Sequence, residues 1–127
     1  MTVDERSRKE VAVQFLEFVV AGRIDEAYER YVDMAGKHHN PHSPTGFPAL
    51  KRAMSENHAQ FSEKRIHIKH IIAESDLVAA HSEVVLAPGD KQIAVVHIFR
   101  FEAYRIVEMW DIGQPMPFNS PNQDGMF

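Results

Sequence analysis

The stretch from Ile93 to Gln114, IAVVHIFRFEAYRIVEMWDIGQ, decides how the rest of the chain is read. Two apolar runs flank the break Glu102-Ala103-Tyr104-Arg105, the pattern of two strands joined by a tight turn. Side chains alternate across a strand, so Ile93, Val95, His97, Phe99 and Phe101 share one face of the first run. In the second, Val107, Met109 and Asp111 share a face, while Ile106, Glu108, Trp110 and Ile112 share the other. Strand interiors are depleted in Asp, and a carboxylate aligned with Val107 and Met109 is costly to bury unless something pairs with it. Counting outward from the turn brings His97 within one or two residue pairs of Asp111, which predicts one cavity for both side chains.

Working back towards the N-terminus, the period of two persists as far as Arg65. Ile66, Ile68, His70 and Ile72 alternate with His67 and Lys69, and Ser75-Asp76 reads as a turn before a strand from Leu77 to Ala87. Pro88-Gly89-Asp90 is a second turn. Four strands on short turns predict an antiparallel sheet with one face left for helices to cover. The first half supplies them. Thr2 with Glu5 resembles a capping box, and Val11, Phe15, Phe18 and Val19 recur at helical spacing up to Gly22. A second helix is expected from Ile24 to Ala35 on the stripe Ala27, Tyr28, Tyr31 and Met34, stopped by Gly36. His38 to Pro48 holds three prolines and Gly46 and reads as a loop. Pro48 suits the first turn of a third helix whose inner face carries Leu50, Met54, His58 and Phe61. The tail ends in Met126-Phe127, two large apolar side chains expected to dock.

Composition narrows the function classes. A chain of 127 residues fits one α+β domain over 1–127. The net charge is -4 with no basic run, which argues against nucleic acid and against an anionic membrane surface as partners. No apolar run approaches the ~20 residues of a membrane span. The first ten residues are charged and lack the apolar core of a secretory signal, so the expected location is cytoplasmic. The absence of Cys removes disulfides, thiol nucleophiles and thiolate metal sites. The 8 histidines are the unusual count, and three of them fall between positions 38 and 42.

Helix-helix-loop-helix followed by a meander, with His38-His39-Asn40-Pro41 ahead of the third helix, resembles the SnoaL-like polyketide cyclases of the nuclear transport factor 2-like superfamily. The most specific pieces are His39-Asn40-Pro41, Ile98-Phe99-Arg100-Phe101-Glu102, Arg105-Ile106-Val107-Glu108-Met109-Trp110-Asp111 and the Gly125-Met126-Phe127 ending. The resemblance implies a cone-shaped α+β barrel with three N-terminal helices packed on a curved antiparallel sheet around an internal pocket. It also implies that Asp111, after the tryptophan, projects into the cone as acid or base, and that His39 and Asn40 border the pocket mouth. Relatives in the superfamily include isomerases, epoxide hydrolases and proteins without a known reaction, so fold membership leaves activity open. The turn departs from the family, which commonly has glycine where this chain has Tyr104. Relatives commonly pair, and a homodimer is expected here through a sheet face carrying Ile66, Ile68, Val84 and Leu86.

Cyclase-type aldol closure begins by removing a proton from carbon next to carbonyls, which needs one base and a donor to the enolate oxygen. A carboxylate in an apolar pocket is a better base near neutral pH, and Asp111 fits that role. His97, or His39 from its loop, supplies the imidazole that orients Asp111 or binds the oxygen. Asn40, Phe15, Met54, His58, His81, Phe99, Met109 and Trp110 are the expected walls for a small apolar or carbonyl-containing ligand. No cofactor is required. Each residue also has a structural reading: Asp111 accepting hydrogen bonds from a turn, His97 as a satisfied core histidine, His38 and His42 exposed and idle. Two other functions fit less closely. One is a non-catalytic ligand-binding or dimerisation module. The other is a metal site drawn from His38, His39, His42, His81, His97 and Asp111, whose spacings match no standard ligand pattern.

Overall fold

The capping box forms as its residue types require. Thr2 N–H donates to Glu5 Oε1 at 2.8 Å and Glu5 N–H donates to Thr2 Oγ1 at 3.0 Å, which starts helix α1 (Val3–Val20). The computed structural model describes residues 1–127. After α1 come α2 (Ile24–Tyr31), β1 (Val32–His38), α3 (Phe47–Gln60), β2 (Arg65–Glu74), β3 (Leu77–Val85), β4 (Ile93–Glu102) and β5 (Arg105–Pro115). The strands form one sheet in the order β1-β5-β4-β3-β2. Helices cover one face, and Phe15, Tyr28, Phe47, Phe99, Ile106 and Met109 are fully buried between the two layers.

The sheet has one strand more than the period of two predicts. The second helix ends at Tyr31 rather than Ala35, and Val32–His38 runs parallel to β5, so the sheet is mixed. Val32 is fully buried opposite Ile106, whereas Met34, the last member of the expected helical stripe, is exposed. Pairing with β5 outweighs the helical periodicity. Gly36 is not a helix stop. A Cβ there would sit 2.2 Å from the Val107 carbonyl oxygen, so glycine lets β1 approach β5.

Two bulges reset the alternation. Ile68 opposes Ser82 and His70 opposes His81, which leaves Lys69 as the extra residue on β2. Beyond it Ile71 and Ala73 face the core, while His70 and Ile72 turn to the outer face. On β5, Ile106 opposes Phe101 and Glu108 opposes Arg100, so Val107 is the extra residue. Ile106 therefore joins the core and does not share a face with Glu108 and Trp110. The apolar residues expected to make a dimer face also turn inward. Ile66 and Ile68 pack on the core, and Val84 and Leu86 line a cavity.

Both two-residue hairpins carry a positive φ at their first central position, Ser75 (55°) and Ala103 (55°). That is where a type II′ turn favours glycine. The departure at Tyr104 is thus absorbed one residue earlier, and Tyr104 instead donates its hydroxyl to Asp4 Oδ1 at 2.9 Å. Glu5 and Arg8 of α1 bind the Ser75 N–H and carbonyl at 3.0 and 2.6 Å, pinning the other hairpin to the helix. The tail docks as its apolar ending suggests, with the Phe127 ring 5.6 Å from that of His81.

Candidate functional site

A cavity of about 640 Å³ opens between the helices and the inner sheet face. Its apolar wall comes from Phe15, Leu16 and Val19 on α1, Met54 on α3, and Ile66, Val84, Ile93 and Val95 on the strands. The polar groups are Asn40 and His42 from the loop after β1, Asn57 from α3, Lys64 just before β2, His97 on β4 and Asp111 on β5. Apolar walls with a few convergent polar groups are what ligand sites share.

His97 and Asp111 are direct cross-strand partners, so both side chains leave the sheet on the cavity side. No hydrogen bond joins them; His97 Nδ1 is shielded from solvent and has no partner. Burial pushes the His97 pKa down to about 4, opposed by the charge of Asp111 and reinforced by that of Lys64. At neutral pH His97 is a neutral imidazole beside a carboxylate. Such a ring donates a hydrogen bond without carrying a charge.

Asp111 is held by Asn40, whose Nδ2 donates to Asp111 Oδ2 at 2.9 Å. The loop fixes that orientation. Asn40 Oδ1 accepts from the His42 N–H at 2.8 Å, which leaves the amide NH2 for the carboxylate. The Asn40 N–H in turn donates to His38 Nδ1 at 3.1 Å, and His38 Nε2 lies 2.8 Å from the Pro44 carbonyl. With both ring nitrogens engaged by its own loop, His38 has a structural role.

His39 behaves differently from its expected place beside Asp111. It contributes to the cavity wall, but its Nε2 lies 2.6 Å from Glu108 Oε2 and its ring stacks on Trp110 at 4.9 Å. Glu108 also accepts from Arg100 Nε at 2.9 Å, and these two partners hold its carboxyl below the usual range. The imidazole of His39 is thus engaged on the outer sheet face. Trp110 shares that face and does not line the cavity. Neither does His81, which meets His70 Nδ1 to Nδ1 at 3.0 Å on the outer side. His58 packs against Gly22, where its ring fills the space a Cβ would need. Phe99 and Met109 face inward but are consumed by the core. Of the expected walls, Phe15, Met54 and Asn40 line the cavity.

Lys64, Asn57 and Tyr28 are the polar groups that the sequence reading missed. Alternation carried back from Ile66 through the strand start would have put Lys64 on the inner face. Tyr28, buried beneath the site, donates its hydroxyl to Met54 Sδ at 3.1 Å. Burial and the charge of Asp111 together push its pKa up, so it stays a neutral phenol. No group of three His, Asp or Glu side chains gathers in a metal-binding arrangement. No helix is long and apolar enough to cross a membrane.

Comparison with known proteins gives this fold a family. The SnoaL-like domain model matches residues 12–109, ending two residues short of Asp111. Among solved structures, an NTF-2 like protein of unknown function from Burkholderia xenovorans LB400 superposes with a TM-score of 0.76 at 17% identity, covering 94% of this chain and 91% of that one. A protein from Jannaschia sp. CCS1, proposed to be a SnoaL-like polyketide cyclase, gives 0.75 at 10% identity over 89% of each chain. AclR from Streptomyces galilaeus, a proposed hydroxylase, gives 0.71 at 20% identity over 87% of this chain and 90% of that one. No curated protein matches. Likeness at this distance shows the α+β architecture alone. With three helices on a five-stranded mixed sheet, and a domain match that spans most of its length, the chain belongs to the SnoaL-like domain family.

Proposed function

We propose that this protein binds a small, largely apolar carbonyl compound in the cavity and acts on it by acid-base chemistry centred on Asp111, without a cofactor. The observation that carries the reading is the register pair His97–Asp111 at the wall of a cavity whose other sides are largely apolar side chains of α1, α3 and the strands, with a polar rim beside the pair. With Oδ2 held by Asn40, Oδ1 of Asp111 is free to take a proton from carbon next to a carbonyl. The C–H electron pair becomes an enolate, whose oxygen accepts a hydrogen bond from neutral His97. In an aldol-type cyclisation the enolate carbon then bonds to a second carbonyl of the same molecule. The new alkoxide recovers the proton from Asp111, so the carboxylate is regenerated. An isomerisation would return the proton to a different carbon.

A thermal-shift screen against polycyclic ketones and small epoxides tests the binding half. Any hit is then followed for turnover with the native protein and with Asp111→Asn, which keeps the side chain's size and removes its basicity. The expected result is a loss of roughly 100-fold to 10,000-fold in rate with affinity nearly unchanged. Retention of most activity in Asp111→Asn overturns the mechanism. One observation favours a second reading, ligand binding without turnover: no hydrogen bond links His97 to Asp111. That reading predicts a hit recovered chemically unchanged from the native protein.

A further inference from the structure

Lys64 is an unusual neighbour for this cavity. Its side chain is partly buried, and its ammonium donates to the side-chain oxygen of Asn57. Two lysines of the fold pair with carboxylates, Lys37 with Glu108 and Lys51 with Asp25. Lys64 has only this neutral amide. A partly buried cation with no carboxylate bound to it is unfavourable. Burial accordingly depresses its pKa from the ordinary lysine value. An ammonium has three donors, and Asn57 uses one, so two are free to face the cavity that Lys64 lines. Lys64, Asn57, Asn40 and Asp111 also surround a second, contiguous depression, which makes Lys64 and Asp111 two poles of one polar rim.

We propose that Lys64 is the anion-recognising residue of the cavity, and that the natural ligand is an apolar molecule bearing a carboxylate. The ligand's negative charge supplies the counter-ion that the protein withholds. Its apolar body fills the space between Phe15, Val19 and Val95, and its reacting carbon is directed towards Asp111. This rests on the cavity being a ligand site, the reading given above, and adds the charge of what enters it.

The test compares two isosteric probes, 2-naphthoate and the neutral 2-naphthamide, by calorimetric titration at about pH 7.5. The native protein should prefer naphthoate by about tenfold or more, the size of one charge-assisted hydrogen bond set against a neutral one. Lys64→Met, which keeps the aliphatic stem, should bring naphthoate down to the level of naphthamide and change naphthamide less than about threefold. A second measurement needs no variant. Raising the pH to about 10.5 should discharge Lys64 and weaken naphthoate several-fold, while naphthamide holds. Equal affinity for the two probes in the native protein overturns the role of Lys64 and leaves the cavity reading standing. A naphthoate preference that survives in Lys64→Met, or that persists at high pH, overturns it as well. Failure of both probes to bind at millimolar concentration overturns the cavity as an apolar ligand site, and this inference with it.

Discussion

The Asn40 side-chain amide reaches 2.9 Å from Asp111 Oδ2, so a loop residue and a strand residue 71 positions apart share one hydrogen bond at the cavity edge. The acceptor is a carboxylate and the donor is locked by the His42 N–H, which makes this a charge-assisted contact between prearranged groups. Asn40→Ala should cost about 1–3 kcal/mol of stability, read as a lower urea midpoint at unchanged slope. Asn40→Asp should cost more, because two carboxylates would then face each other. A midpoint for Asn40→Ala equal to that of the native protein would show that the contact contributes nothing.

His97 predicts the acid limb of the stability curve. Its folded pKa, about 4, lies below the unfolded value near 6.5, so the unfolded chain binds more protons between those limits. Stability from this group is fully present above about pH 6.5 and declines as the pH falls towards 4. The loss has an upper bound of about 3 kcal/mol, since one pKa unit corresponds to ~1.4 kcal/mol. His97→Gln should flatten this part of the curve relative to the native protein, measured by urea unfolding at pH 7.5 and 4.5. Identical pH slopes for the two proteins would remove His97 from the account.

Ala103 occupies a positive φ of 55° at the tip of the β4–β5 hairpin, where a side chain is strained. Ala103→Gly should relieve that strain. The gain is offset by the entropy that glycine adds to the unfolded chain, leaving a net stabilisation of up to about 1 kcal/mol. A melting temperature raised by a few degrees is the expected result. A lowered one would mean that the entropy outweighs the strain.

The outer sheet face carries apolar residues other than those expected to make a dimer. It exposes Ile72 (65%), Leu77 (41%) and Ile112 (59%), which belong to three different strands on the side away from the helices. Association through this face would give a particle of twice the chain's mass by light scattering at about 10 µM. Ile112→Glu should return it to single chains. A single-chain mass for the native protein at that concentration refutes the pairing.

What could be read from the sequence follows from how local its cause is. His97 and Asp111 were brought within one residue pair of each other because the strand period is intrinsic to each run and the turn joining them is short. The turn alone would pair His97 with Trp110, and the bulge at Val107 moves the partner to Asp111. Strand β1 was not legible. Val32–His38, VDMAGKH, offers only Val32 and Met34 in alternation, a pair that the helical stripe claims equally well, and its extended form comes from pairing with β5, some seventy residues later. The outward turn of His39 was equally hidden. Its partner Glu108 is 69 positions away, and only the folded sheet brings Trp110 beneath the ring. Ile72 and Ile106 were misassigned because a bulge leaves no mark in composition. His81 and His58 looked available because their actual neighbours, His70 and Gly22, belong to other elements.

The extra residue at Val107 has a consequence for how such chains are compared. One half of β5 faces Ile106 into the core under the helices, and the other half faces Asp111 into the cavity. These two sets are out of phase, and the bulge is the phase shift that reconciles them. Regular pairing through Ile106–Glu108 with every residue kept would set Trp110 opposite His97 and hand Asp111 to the outer surface, whereas deleting Val107 would only remove the bulge and leave Asp111 inside. A relative aligned to this chain without a gap but lacking the bulge would therefore carry its acid on the wrong side of the sheet. The aspartate after the tryptophan is a transferable landmark only together with the irregularity that precedes it.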